Sequence, residues 1–178
     1  MPVGFKNGTG GDVKVAVDAV RSARGAHCFM GITSSATAAI CLTEGNPDTH
    51  IILRGGRSGT NYDPLSVTNA VNCCKTSNVV PRVMIDCSHG NSGKDYRRQP
   101  MVLRCVLEQL VAQKKGGHAN SPVVGVMMES HLREGSQSIN TLDKLEYGVS
   151  VTDSCMNVST TRELLLELQR ALRGGRRK

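Results

Sequence analysis

The chain has 178 residues, 39% of them hydrophobic, with 3% aromatic residues, no Trp and a formal net charge of +7. Its length and apolar content suit one sizeable core, and no apolar run nears the roughly 20 residues needed to span a bilayer. Four positive charges fall in the last six residues, Arg173–Lys178, leaving +3 for the remainder; with so few rings for base stacking, this argues against nucleic acid, and an anionic small molecule could use the remaining excess equally well.

Met1 is followed by Pro-Val-Gly-Phe-Lys, without the basic and apolar regions of a secretory signal, so the expected address is cytoplasmic. Val3-Gly-Phe5 is the first short apolar run. After it, Val13, Ala16, Val17 and Val20 recur at the spacing of one helix face, with Asp12 placed to cap the helix. His27–Thr33 and Ala38–Leu42 read as an added hairpin. The run His50–Leu53 leads to a helix bearing Val67, Ala70, Val71 and Cys74, for which Ser66 is a candidate cap. Arg82–Ile85 is followed by a helix with Leu103, Val106, Leu107 and Leu110, where Pro100 belongs in the first turn. Val123–Met128 precedes a last helix, opened by the capping-box spacing Thr160-Thr-Arg-Glu163 and stopped by Gly174-Gly175. The apolar runs do not alternate with polar residues, as expected of strands covered on both faces. Strand and helix take turns, the signature of an α/β fold with a parallel sheet. Seven cysteines, odd in number and without a C-x-x-C pair, read as reduced thiols; Cys28, Cys87 and Cys105 lie in apolar segments and are expected to be buried.

Each apolar run ends in a polar group. Val3-Gly-Phe5 leads into Lys6, Ile51-Ile-Leu53 into Arg54, the Met84-Ile-Asp-Cys-Ser88 run into His89, and Val126-Met-Met128 into Glu129. In a barrel of parallel strands these ends share the rim that carries active sites. Lys6 and Arg54 offer two cations to a doubly charged anion, beside glycines that let backbone approach a ligand; the competing reading is a pair of solvated charges. His89 with Glu129 suits a divalent metal, although an isolated His is more often structural. Asp153 is a further candidate ligand that fits a turn or cap equally well, and His131 is near enough to Glu129 in sequence to support it.

Val3-Gly-Phe-Lys-Asn-Gly-Thr9, Ile51-Ile-Leu-Arg-Gly-Gly56, Met84-Ile-Asp-Cys-Ser-His-Gly-Asn-Ser92, Gly125-Val-Met-Met-Glu-Ser-His-Leu-Arg-Glu-Gly135 and Tyr147-Gly-Val-Ser-Val-Thr-Asp153 carry a more specific signal. In this order they resemble segments of the type I 3-deoxy-D-arabino-heptulosonate 7-phosphate synthases, and the similarity continues into the last helix. That family condenses phosphoenolpyruvate with erythrose 4-phosphate, releasing phosphate, at the entry to the shikimate pathway of aromatic amino-acid biosynthesis.

The resemblance implies the carboxyl-terminal half of a (β/α)8 TIM barrel, about four strand-helix units with an inserted hairpin: residues 1–173 as a partial synthase domain and 174–178 as a basic tail. It implies that Lys6 and Arg54 contact phosphoenolpyruvate and that His89, Glu129 and Asp153 ligate a catalytic divalent ion (manganese, iron, cobalt or zinc), with His89 also handling protons. The family's metal-binding cysteine, its Lys-Pro-Arg-Thr segment for erythrose 4-phosphate and an upstream arginine have no counterpart here. The chain alone is therefore expected to be an inactive fragment, and the full-length enzyme a homo-oligomer. His27–Thr33 resembles the family's feedback region, and Gly31 stands where tyrosine-sensitive members tend to have glycine, so tyrosine is the expected inhibitor. Two alternatives remain: an octulosonate-phosphate synthase-like enzyme, and a noncatalytic half-barrel interaction module.

Overall fold

The structure, a computed structural model, describes residues 1–115, 121–140 and 144–173. In chain order it contains β1 (Val3–Lys6), α1 (Lys14–Arg24), β2 (His27–Ile32), β3 (Ala38–Thr43), β4 (Thr49–Leu53), α2 (Pro64–Thr76), β5 (Val83–Asp86), the single turn α3 (His89–Ser92), a 3-10 turn at Tyr96–Arg98, α4 (Gln99–Lys115), β6 (Val123–Met127), the short β7 (Ser130–His131) and β8 (Met156–Asn157), and α5 (Val158–Arg173). The four expected main strands form one sheet in the order β1-β4-β5-β6, every neighbour parallel, and β2 pairs with β3 as an antiparallel hairpin. Among the described residues no helix is long and apolar enough to cross a membrane.

Strand alternation sorts the side chains. Ile51, Leu53, Val83 and Ile85 pack with Ala16, Val17 and Val20 of α1, Val67, Ala70 and Cys74 of α2, and Val102, Leu103 and Val106 of α4, so the core lies between the sheet and its helices. The same period of two sets Gly4 and Lys6, Ile52 and Arg54, and Met84 and Asp86 on the opposite set of positions. A Cβ on Gly4 would come within 2.5 Å of Ile52 and 2.6 Å of His50, so side chains of β4 reach over β1 on this second face. Between β5 and β6 the register slips: Val83 pairs with Val123 and Met84 with Gly125, leaving Val124 unpaired and exposed.

Several local expectations need correction. α2 is capped by Asp63, not Ser66; Pro64 takes the first helical position, and Ser66 donates its N–H and hydroxyl to the Asp63 carboxylate at 2.9 and 2.5 Å. α5 starts before the Thr160 box because Asn157, ending β8, accepts the Thr160 N–H at 2.8 Å. Asp12 accepts the Lys14 N–H at 2.8 Å, but the capping position of α1 is Val13, whose side chain makes no capping bond; Pro100 sits in the first turn of α4. All seven cysteines are unpaired; Cys87 is buried, Cys105 half-buried, and Cys28 exposed because it lies on the outlying hairpin. Gly174-Gly175 and the basic tail lie outside the described residues.

Candidate functional site

The parallel order carries the ends of β1, β4, β5 and β6 to one edge of the sheet, and buried polar side chains fasten those ends together. Asn7, directly after β1, accepts the Arg54 N–H at 2.8 Å and donates to the Gly55 carbonyl at 3.0 Å. Asn91, in α3, donates to the carbonyls of Leu53 and Asp86 at 3.0 and 2.9 Å and accepts the Asn61 N–H at 2.8 Å. With the two fully or almost fully buried, these amides hold three loops in a fixed relation.

On that frame sits a cluster of charged groups. Asp86, with a side chain 0% exposed, lies 2.7 Å from Lys6 Nζ and 2.9 Å from His89 Nδ1. The second contact has ion-pair distance but not the alignment of a hydrogen bond. His89 takes φ of 51° at the start of α3, a conformation few non-glycine residues adopt, and its other ring nitrogen points toward two carboxylates. Nε2 lies 3.6 Å from Glu129 Oε1 and 3.4 Å from Asp153 Oδ2. Ligand atoms of His89, Glu129 and Asp153 all fall within 4.8 Å of one another. One imidazole and two carboxylates form a borderline nitrogen–oxygen donor set that suits a first-row divalent ion, and a carboxylate behind the imidazole is the usual support for a metal-bound histidine.

Glu129 is held from three sides. Ser88 donates its hydroxyl to Oε2 at 2.7 Å, and the buried amide of Gln99 accepts the Glu129 N–H at 2.9 Å while donating to its carbonyl at 3.2 Å. Sequence reasoning passed over Asp86, Ser88, Asn91 and Gln99. A buried polar residue such as Asp86 inside an apolar run was the one signal available. His131 does not support Glu129 in the expected way; its ring turns to the Gly148 carbonyl. No cysteine joins the cluster among the described residues. Cys87 adjoins Asp86 but faces the core, where burial, then the Asp86 charge, pushes its thiol up to about 12, leaving it protonated at neutral pH.

Arg54 stands apart. Its Nε is buried without a hydrogen-bond partner, and its side chain lines a cavity of about 290 Å³ with Thr9, Arg57 and Lys94. The structure thus links Lys6 to His89 through Asp86, brings Glu129 and Asp153 to the other ring nitrogen of His89, and gives Arg54 a neighbouring opening on the same edge.

Over residues 1–166 the chain matches the model of the DAHP synthetase I family. The chain belongs to this family. It is 46% identical over 178 residues to a putative phospho-2-dehydro-3-deoxyheptonate aldolase of Schizosaccharomyces pombe, covering 99% of this chain and 47% of that protein. Against the Tyr-sensitive aldolase of Escherichia coli the identity is 46% over 98% of this chain, and against the phenylalanine-inhibited aldolase of Saccharomyces cerevisiae 43% over 99%. The solved phospho-2-dehydro-3-deoxyheptonate aldolase of Francisella tularensis superposes with a TM-score of 0.88 at 44% identity, covering 98% of this chain and 49% of that one. Membership of the DAHP synthetase I family is therefore as the ordered motifs implied, and the chain spans about half the length of the relatives it matches.

Proposed function

We propose that this chain is the carboxyl-terminal half of a (β/α)8 barrel and contributes the metal-holding edge of a 3-deoxy-7-phosphoheptulonate synthase. The observation that carries the reading is the meeting of His89 and Glu129, at the ends of parallel strands, with Asp153 from the segment before β8, all within 4.8 Å and beside Lys6, in a member of this family. In this reading the three residues hold a divalent ion, manganese, iron, cobalt or zinc by the chemistry of the donors. Such an ion supplies Lewis-acid polarisation of the aldehyde of erythrose 4-phosphate.

The chain's own residues do the rest of the positioning. Lys6 presents its ammonium to the anionic end of phosphoenolpyruvate, and Asp86 holds that ammonium in place through the 2.7 Å contact. Arg54 offers a second cation on the same substrate, with a guanidinium free to donate in parallel. Asp86 also faces His89 Nδ1, which sets the ring with Nε2 toward Glu129 and Asp153. Ser88 and Gln99 restrain Glu129 from both its carboxylate and its backbone. Fixing groups in this way lowers the barrier by orientation, a term worth roughly 7–11 kcal/mol when alignment is complete.

The test is a polypeptide carrying these residues together with four further strand-helix units, for example the amino-terminal portion of the Escherichia coli relative. Phosphoenolpyruvate is supplied with erythrose 4-phosphate or with arabinose 5-phosphate, and phosphate release and product are followed with and without chelator. The reading expects chelator-sensitive heptulosonate formation and a preference for the four-carbon sugar. Preference for arabinose 5-phosphate would transfer the assignment to an octulosonate-forming enzyme, and absence of both products would remove it. For regulation we propose tyrosine at the β2–β3 hairpin, on the resemblance of this segment to the family's feedback region; a Cβ on Gly31 would come within 2.5 Å of Cys41 Sγ, so a larger residue there requires the Cys41 side chain to turn aside. In the same assay tyrosine is expected to inhibit more strongly than phenylalanine, and the reverse order would contradict the choice.

A further inference from the structure

Arg54 follows β4 directly, and the chain turns immediately after it, with Gly55 at φ of 67°. The buried Nε of Arg54 has no hydrogen-bond partner, so the side chain has no anchor there and its aim follows from its backbone. That backbone is held from two sides. The Arg54 N–H donates to Asn7 Oδ1 at 2.8 Å, and the Arg54 carbonyl accepts the Asn91 N–H at 3.2 Å. A third amide closes the circle from behind. Asn61 donates its side-chain N–H to Asn7 Oδ1 at 3.1 Å and its backbone N–H to Asn91 Oδ1 at 2.8 Å, while its own Oδ1 accepts the Gly55 N–H at 2.7 Å. Arg54, Asn7, Asn61 and Asn91 thus form a closed ring of hydrogen bonds that joins the loops after β1 and β4 to α3.

Donors and acceptors leave this ring one orientation. Asn7 uses its side-chain nitrogen on the Gly8 and Gly55 carbonyls at 2.9 and 3.0 Å, and Asn91 uses its own on the Leu53 and Asp86 carbonyls at 3.0 and 2.9 Å. Neither amide can flip without setting its oxygen against two carbonyl oxygens, so each presents oxygen to Asn61. Position 61 therefore needs a donor toward Asn7 and an acceptor toward Gly55 on one short side chain, which an amide supplies. The scaffold holds this residue in turn. The next carbonyl, of Tyr62, accepts a hydrogen bond from the Gln109 side chain of α4 at 2.8 Å, and Asp63 caps α2. Through Asn61 the Arg54 turn is thus tied to two helices of the outer layer.

We propose that Asn61 is a positioning residue, which through this ring sets the Arg54 guanidinium relative to Lys6 at the end of β1 and His89 at the start of α3. The inference rests on the synthase reading for the substrate that Arg54 meets, phosphoenolpyruvate, but not for the ring itself. Two substitutions break the ring in different ways. Asn61→Asp keeps an acceptor for Gly55 but sets a carboxylate oxygen against Asn7 Oδ1, which cannot turn away. Asn61→Ala removes both side-chain bonds and adds no charge, leaving the Gly55 N–H without its partner.

Hydrogen–deuterium exchange is followed by mass spectrometry in the 178-residue chain for wild type, Asn61→Asp and Asn61→Ala. Exchange is expected to quicken about tenfold around Arg54 and Asn91 in both variants, while α4 around Val102 and Val106 keeps its wild-type rate. The same variants are then placed in the polypeptide completed with the amino-terminal portion of the Escherichia coli relative. Each is expected to raise the KM for phosphoenolpyruvate about tenfold, with the KM for erythrose 4-phosphate and the manganese affinity within about twofold of wild type. On an Arg54→Lys background, which removes the guanidinium, the same substitutions are expected to add about twofold or less, because a residue acting through Arg54 has nothing left to position. Unchanged exchange in both variants, or a rise in phosphoenolpyruvate KM as large with Lys at position 54 as with Arg, would overturn the proposal. Equal losses toward both substrates and manganese would assign Asn61 to general stability and overturn it as well. Quickened exchange around Arg54, with no condensation by the unsubstituted polypeptide, would leave the positioning of Arg54 standing and remove the synthase reading.

Discussion

Asp86 is fully buried, yet its carboxylate faces Lys6 at 2.7 Å and the His89 ring at 2.9 Å. Removing the charge while keeping the shape isolates what that carboxylate does. Asp86→Asn is expected to weaken manganese binding by roughly 10–100-fold, the usual effect of losing the carboxylate behind a metal-bound histidine. Electron paramagnetic resonance of free manganese in a titration measures it, and an unchanged affinity would show that the ring is oriented by backbone alone. This residue also marks a boundary of what sequence conveys. Lys6, His89 and Glu129 were legible because each interrupts or ends an apolar run. The importance of Asp86, Ser88 and Gln99 comes from contacts 80, 41 and 30 residues away in sequence, which periodicity does not register.

At the scale of elements, α1 followed its apolar spacing because Ala16, Val17 and Val20 are the residues buried on the sheet, and the β2–β3 hairpin formed over the expected segments. The helix starts of α2 and α5 were misread because more than one residue could serve as cap, and Pro64 and the end of β8 decided between them. The Asp63 cap makes a direct prediction. Burial works to raise its pKa, but hydrogen bonds from the Ser66 hydroxyl and N–H outweigh this and hold it below the ordinary carboxylate value. A carboxyl depressed in the folded state stabilises the fold above its ordinary pKa, and that contribution is lost as pH falls through the folded value. Asp63→Ala is therefore expected to cost about 1 kcal/mol at neutral pH by urea unfolding, with the difference from wild type shrinking in acid. A deficit that stays constant into acid would assign the effect to packing instead.

For the molecule as a whole, the described sheet has two edges, β1 and β6, and the hairpin exposes Met30, Ile32, Ile40 and Leu42 at 69–78% of their surface. Unpaired strand edges and clustered apolar surface favour association, so the 178-residue chain is expected to sediment with increasing mass as its concentration rises. A constant monomer mass would show that both features are tolerated in isolation. The central claim, that the strand ends build a metal-holding site, is tested most directly by titrating manganese into this chain and into its His89→Ala and His131→Ala variants. Saturable binding at one ion per chain, lost in His89→Ala and retained in His131→Ala, is the predicted result. Equal affinity in wild type and His89→Ala, or no saturable binding in the wild-type chain, would contradict it.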